Sequence, residues 1–308
     1  MQFREYLKRC REHNNLTQEG LVHALYSFDI AHFKGLDTTT VSKWERGITT
    51  PPISRQAAII RYFQSLTGLA LPCLDHYNAA EIEKLICEPA IFNLLGKSRE
   101  LILNYPHTMI QSDDIQVMQV RNSENFDDFI SMNTDLDKGF NNRYSGLNDE
   151  DFKKWALHPS NTFFVCEYKK QFFGLLFSLR LKPESFQRII SLEIMEKELT
   201  HEDFASYDEM GSIYTISFFA LNEKAASMLF MRHFAYLIAH QKVIDRVGLA
   251  YIMDDAARLI KNMQLEHQTS KQIGNGLILQ SFAQTLPRLL TSEYTLKTIF
   301  ETKNCPDT

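Results

Sequence analysis

Ser212-Ile-Tyr-Thr-Ile-Ser-Phe-Phe-Ala-Leu221 is followed by a segment from Glu223 to His240 and then by Arg246 to Ile252, and the order of these three decides the fold of the larger part of the chain. The first is a strongly apolar strand, and the third is strand-like again. The second is long and amphipathic, with helical spacing of its apolar residues. A helix of that length between two strands is what a right-handed crossover requires, so the two strands pair in parallel.

Outward from this unit the alternation continues. Ile115 to Val120 reads as a strand, Ser123 to Lys138 and Asn148 to Leu157 as helices, and Thr162 to Tyr168 with Gln171 to Leu181 as a hairpin turning at Lys169-Lys170. Beyond Ile252, Asp254 to Met263 reads as a helix and Leu277 to Ala283 as a final strand. The stretch up to Ser206 has no decisive period. Between residues 67 and 110 the chain reads as a helical connector, with Ala79 to Cys87 and Ala90 to Asn104 as helices around Glu88-Pro89. Its apolar stripe, which includes Ile82, Leu85, Phe92 and Leu101, serves either as a dimer arm or as packing against its own domain.

Near the start, Asp37-Thr-Thr-Thr-Val-Ser-Lys-Trp-Glu-Arg-Gly47 reads as a short helix with Asp37 as its cap and Gly47 as its stop. Val41 and Trp44 share an inward face, while Thr38, Thr39, Ser42 and Lys43 lie on the outward and leading faces. Thr17 caps a second helix whose Leu21, Ala24 and Leu25 pack together. An earlier helix carries Phe3, Leu7 and Cys10 on one stripe. After Pro51-Pro52 another helix follows, with Ala57, Ile59, Ile60 and Phe63.

In order, Leu7-Lys-Arg-Cys-Arg-Glu, Leu16-Thr-Gln-Glu-Gly-Leu and Val41-Ser-Lys-Trp-Glu-Arg-Gly resemble the helix-turn-helix domain of phage Cro and repressor type, the XRE-like family, over about 65 residues. One departure is the extra stretch Tyr26 to Lys34 ahead of the turn Gly35-Leu36-Asp37. The resemblance implies that Gln18 holds the DNA backbone, that Thr38, Thr39, Ser42 and Lys43 face bases, and that Thr40 and Arg46 contact phosphate.

At 308 residues, 44% hydrophobic and 23% charged, the chain has the composition of a soluble globular protein with room for two domains. No run of 18 uncharged apolar residues occurs and Met-Gln-Phe-Arg-Glu carries no apolar signal region, so a cytoplasmic protein without a membrane partner is expected. Residues 1–64 hold nine Lys or Arg against six Asp or Glu; that +3 within a net charge of -5 leaves -8 for the rest and confines DNA contact to the head. Cysteines at 10, 73, 87, 166 and 305 include no Cys-x-x-Cys pair and read as reduced, mostly buried thiols. Cys73-Leu-Asp-His76 supplies only two metal ligands, so no metal site is expected. His233 and His240 share a helix face and read as one core and one surface histidine.

The element order from Ile115 onward, with Asp254-Asp-Ala-Ala-Arg-Leu-Ile-Lys-Asn-Met-Gln-Leu-Glu266, resembles the GNAT-type acyltransferase fold over about 190 residues. That family opens its long helix with glycines whose bare N–H groups cradle the acyl-CoA pyrophosphate; here Asn222-Glu-Lys-Ala-Ala-Ser-Met-Leu-Phe230 has none and adds an acid at Glu223. The family's tyrosine proton donor falls on Ile260, which cannot protonate a thiolate, and a family glycine falls on Gln264. These departures imply a fold kept without catalytic residues or a cofactor. The aromatic clusters Phe163-Phe164, Phe172-Phe173, Phe177 and Phe218-Phe219 form either core or a pocket for a small apolar or acyl effector.

The sequence therefore predicts an α + α/β protein: a helix-turn-helix domain at 1–66, a helical connector at 67–110 and a GNAT-like mixed-sheet α/β domain at 111–308. The expected function is that of a cytoplasmic, homodimeric transcriptional regulator that contacts a palindromic double-stranded DNA operator through Gln18, Thr38, Thr39, Thr40, Ser42, Lys43 and Arg46. Its second domain is expected to be catalytically degenerate. Two rivals stand beside it: a bifunctional DNA-binding protein with acyl-CoA-dependent N-acyltransferase activity, and an antitoxin or phage-type repressor.

Overall fold

Caps written into the sequence set the first helices of the computed structural model, which describes residues 1–86, 115–140, 146–252 and 256–300. They are α1 (Phe3–His13), α2 (Gln18–Phe28), α3 (Ile30–Phe33), α4 (Thr38–Glu45), α5 (Ile53–Thr67) and α6 (Ala79–Glu83). The Thr17 hydroxyl accepts from the Gly20 N–H at 2.9 Å, and the Asp37 carboxylate accepts from the Thr40 N–H at 2.6 Å. Leu7, Leu21, Leu25, Val41 and Trp44 turn inward and are buried, as the spacing predicted. The helix-turn-helix assignment itself is not confirmed. Across the extra stretch, α2 runs on to Phe28 and Asp29 then caps the one-turn helix α3, so α2 and α4 are not joined by the tight turn that the resemblance implies.

The described residues that follow contain one seven-stranded sheet and seven further α-helices. Its elements are β1 (Ile115–Gln119), α7 (Phe126–Phe140), α8 (Asp149–Leu157), β2 (Thr162–Tyr168), β3 (Gln171–Leu181), α9 (Pro183–Ile190), β4 (Gly211–Ala220), α10 (Glu223–Ala239), β5 (Ile244–Tyr251), α11 (Ala257–Asn262), β6 (Glu266–Gln272), β7 (Ile278–Thr285), α12 (Leu286–Leu290) and α13 (Glu293–Phe300). The strand order is β1-β2-β3-β4-β5-β7-β6, antiparallel throughout except for β4 and β5, which are parallel across α10. This is a mixed-sheet α/β fold, with the parallel pair across the long helix that the element order predicted. The β2–β3 turn at Lys169 and Lys170 has φ of +51° and +63°, the double left-handed turn that matches strand twist.

Two elements carried no sequence signal. β6 is the outer strand of the sheet, and nearly all of Glu-His-Gln-Thr-Ser-Lys-Gln is exposed, so no apolar period marks it. The helix α9 occupies the stretch without a decisive period; Pro183 starts it and buries Phe186, Ile189 and Ile190 below it. The expected connector helix Ala90 to Asn104 lies outside the described residues.

The chain divides into two compact units that cut across its linear order. One holds residues 1–86, 234–242 and 287–300; the other holds 115–140, 146–233, 243–252 and 256–286. In the first, the Phe300 ring at the end of α13 meets Phe3 at 5.4 Å and Tyr6 at 4.9 Å. In the second, Phe163 stacks on Phe177 at 4.3 Å within a core that includes Phe152, Trp155, Phe186 and Tyr214. Most of the aromatic clusters are thus core.

Candidate functional site

A single extra residue opens the sheet. Phe177 pairs with Ser217 while Ser178 pairs with Thr215, so Ile216 is a bulge on β4. The parallel pairing of β4 with β5 runs from Gly211 opposite Ile244 to Thr215 opposite Leu249 and goes no further. Past the bulge the two strands part. At the paired end Arg180 is wholly buried, and its Nη2 donates to the carbonyls of Glu209 at 2.7 Å and Val243 at 2.9 Å. The Gly211 N–H donates to the same Val243 carbonyl, also at 2.9 Å, so one end is pinned while the other diverges.

A cavity of about 170 Å³ fills the divergence. Successive strand residues face opposite sides of a sheet, and here both sides contribute. On one side Phe218 meets Phe230 of α10 edge-on at 4.9 Å, with His233 one turn further on. On the other side Tyr214 donates from its hydroxyl to Glu196 Oε1 at 2.5 Å, and Met195, Leu136 and Asp137 line the wall. Leu259 and Met263, flanking and within the α11 turn, with Leu249 and Tyr251 of β5, complete it. The cavity therefore passes through the sheet, apolar over most of its wall with ionisable groups at few points.

Those groups are perturbed by their surroundings. Burial pushes the Glu196 carboxyl above the ordinary carboxylate range, and the charge of Asp137 adds to the effect against the pull of the Tyr214 hydrogen bond. Burial lowers His233 to about 4, so its imidazole is neutral near pH 7. Neither Glu196 nor Asp137 was legible in the sequence. Glu196 lies in the stretch without a period, and its partner Tyr214 is brought to it only by the sheet. His233 is the core histidine of the expected pair, at 2% exposure, and it also lines the cavity.

The residues expected at DNA lie elsewhere, on α4 and at the start of α2. Thr38, Thr39 and Lys43 are exposed on α4, Thr40 and Ser42 are half-buried, and Arg46 ends the helix with Nε donating to the Ser42 carbonyl at 3.2 Å. Gln18 is separated from this group in role: its Nε2 donates to Glu45 at 2.8 Å, and the same carboxylate holds Arg11 at 2.6 Å. Gln18 thereby joins α2 to α4.

At the start of α10 the Asn222 side chain, itself buried, accepts from the Ala225 N–H at 2.8 Å. A donor that a pyrophosphate would need is thus occupied by the chain's own cap, with Glu223 beside it. The residues present do not form a pyrophosphate cradle. Ile260 is buried. Gln264 has φ of +54°, a left-handed geometry that favours glycine. Among the described residues no group of three or more His, Cys, Asp or Glu is placed to hold a metal ion, and no helix is long and apolar enough to cross a membrane.

No protein-family model matches the chain, and no curated protein matches it. Solved structures do. FeeM, an N-acyl amino acid synthase from uncultured soil microbes, is 14% identical, with 58% of this chain and 93% of that one covered and a TM-score of 0.39. A polyamine N-acetyltransferase of Drosophila melanogaster, which forms N-acetylagmatine, is 10% identical over 56% of this chain and 100% of its own, with a TM-score of 0.37. A GNAT-family acetyltransferase from Streptococcus pneumoniae is 10% identical over 56% and 98%, with a TM-score of 0.35.

The expectation of a DNA-binding transcriptional regulator with a degenerate second domain is corrected. The solved structures named here are acyltransferases, and none is a DNA-binding protein.

Proposed function

We propose that this protein is a thioester-dependent N-acyltransferase, which moves an acyl group from acyl-CoA or a similar thioester to a cationic amine. The observation that carries the reading is the parting of β4 from β5 at the Ile216 bulge, with a cavity that crosses the sheet there. Strands that have left each other free backbone N–H and C=O groups, against which an extended thioester arm can lie. The apolar wall at Phe218, Phe230, Leu259 and Met263 suits an acyl chain, and the cavity volume is of the order that accepts a benzene-sized group.

The acceptor side carries Asp137 and Glu196, and two carboxyls attract an ammonium. Glu196, with its raised pKa, takes the proton from that ammonium and leaves the amine free to attack the thioester carbonyl. The C–S bond then breaks. In place of Ile260, the phenol of Tyr251 in the cavity wall gives its proton to the departing thiolate and is restored by the second proton that the attacking nitrogen loses as the amide forms. No step uses a pyrophosphate contact. The free thiols at Cys10, Cys73 and Cys166 support a reducing, cytoplasmic setting.

The test is thiol release from acetyl-, butyryl-, hexanoyl- and octanoyl-CoA, each with and without diamine and guanidino-amine acceptors. Amine-dependent release with at least one donor is expected. Absence of release with every donor and acceptor overturns the reading.

A further inference from the structure

The first unit brings together two thiols that sequence separates by a whole helical domain. Cys10 lies on the inner face of α1, fully buried, and its Sγ reaches the carbonyl oxygen of Pro72 at 3.8 Å. Pro72 is the residue bonded to Cys73, itself buried, so the Cys10 sulfur packs against the backbone that carries the second thiol. Cys73 itself has φ of +66°, a left-handed conformation that a side chain with a Cβ resists. No turn glycine stands there, so the surrounding packing imposes the geometry and holds the sulfur where it is.

The two sulfurs differ in character. Burial pushes the Cys10 thiol up, and it stays protonated. Cys73 is lowered, first by the neighbouring Cys10 thiol and then by the charge of Arg9, against burial and the charge of Asp75. Arg9 is fixed in turn, since its guanidinium bonds the Tyr77 hydroxyl and lies 5.5 Å from that ring. A cysteine with a lowered thiol beside a cysteine whose thiol stays protonated matches the division between an attacking and a resolving sulfur.

We propose that Cys73 and Cys10 form a peroxide-reactive dithiol, with Cys73 attacking and Cys10 resolving. The Cys73 thiolate attacks one oxygen of hydrogen peroxide and the O–O bond breaks, leaving a sulfenic acid on Cys73 and releasing hydroxide. The Cys10 sulfur then displaces the sulfenic oxygen, forming the disulfide. The thiol proton of Cys10 leaves with that oxygen as water, and the proton earlier lost by Cys73 converts the hydroxide to a second water. Peroxide is reduced by two electrons and the two thiols are oxidised by two. The product ties α1 to the segment after α5, and thiol reductants reverse it.

The experiment treats the full chain with hydrogen peroxide, blocks the remaining thiols, and maps linked peptides by mass spectrometry without reduction. A Cys10–Cys73 cross-link that dithiothreitol removes is expected. Cys10→Ser should stop the cross-link and let Cys73 accumulate as sulfinic acid, while Cys73→Ser should leave Cys10 unmodified. Each serine is close in size to the cysteine it replaces, and a circular dichroism spectrum matching the parent shows that the fold is kept. Cross-links to Cys87, Cys166 or Cys305 in place of this pair, or both thiols recovered unoxidised, would overturn the proposal.

Discussion

Glu196 is the residue on which the chemistry turns, because it combines a raised pKa, a fixed hydrogen bond from Tyr214 and a place in the cavity wall. Glu196→Gln should lower kcat by about 10²- to 10⁴-fold, the usual worth of a general base. In the parent the rate should climb as pH rises through the raised pKa, since only the ionised carboxylate accepts a proton; a pH–rate profile checks both. His233 governs stability instead. Its folded value of about 4 lies below its ordinary 6.5, so the unfolded chain binds the extra proton between those limits. Stability is complete above about pH 6.5 and falls as pH drops toward 4, by about 3 kcal/mol in all. Denaturant titrations across that range should show the loss, and His233→Phe should flatten it. Gln264 ends α11 with the Leu265 N–H bonded to the Ile260 carbonyl at 3.0 Å, a helix stop that favours glycine. Gln264→Gly should therefore stabilise the protein by about 1 kcal/mol, read as a rise in Tm.

At the scale of elements, the β4–α10–β5 unit was legible because its strands are apolar and its helix is long, and both properties survive any detail of packing. The hairpin at Lys169-Lys170 and the caps Thr17 and Asp37 were legible for local reasons. The bulge was not, since Ile216 suits a strand in either register, and only pairing with β3 exposes the extra residue. The strand β6 was hidden by being polar on both sides. Deleting Ile216 should restore regular pairing of β4 with β3, extend β4–β5 contact past Thr215 and close the opening. Thiol release should fall to background while circular dichroism stays that of the parent. Arg180→Ala at the pinned end should instead destabilise the fold by about 3 kcal/mol, through the loss of charge-assisted bonds to buried carbonyls, which urea unfolding measures.

Over the whole molecule, the fold class of the carboxy-terminal part came from element order, while the site did not. Asp137, Glu196, His233 and Tyr251 are spread over more than a hundred residues of sequence, with no motif among them, and the sheet assembles them. The glycine-free start of α10 led the sequence reading to a domain without catalysis, yet that feature alone says nothing about the opening beyond Thr215. The head shows the reverse case: its caps and core positions were right, and a short helix where a tight turn belongs separates its architecture from the resemblance. The most direct test of the account is amine-dependent thiol release from an acyl-CoA series, run with the parent and with Glu196→Gln. The account predicts release by the parent that requires the amine and largely disappears in the variant; undiminished release by the variant, or none by the parent with any donor, would contradict it.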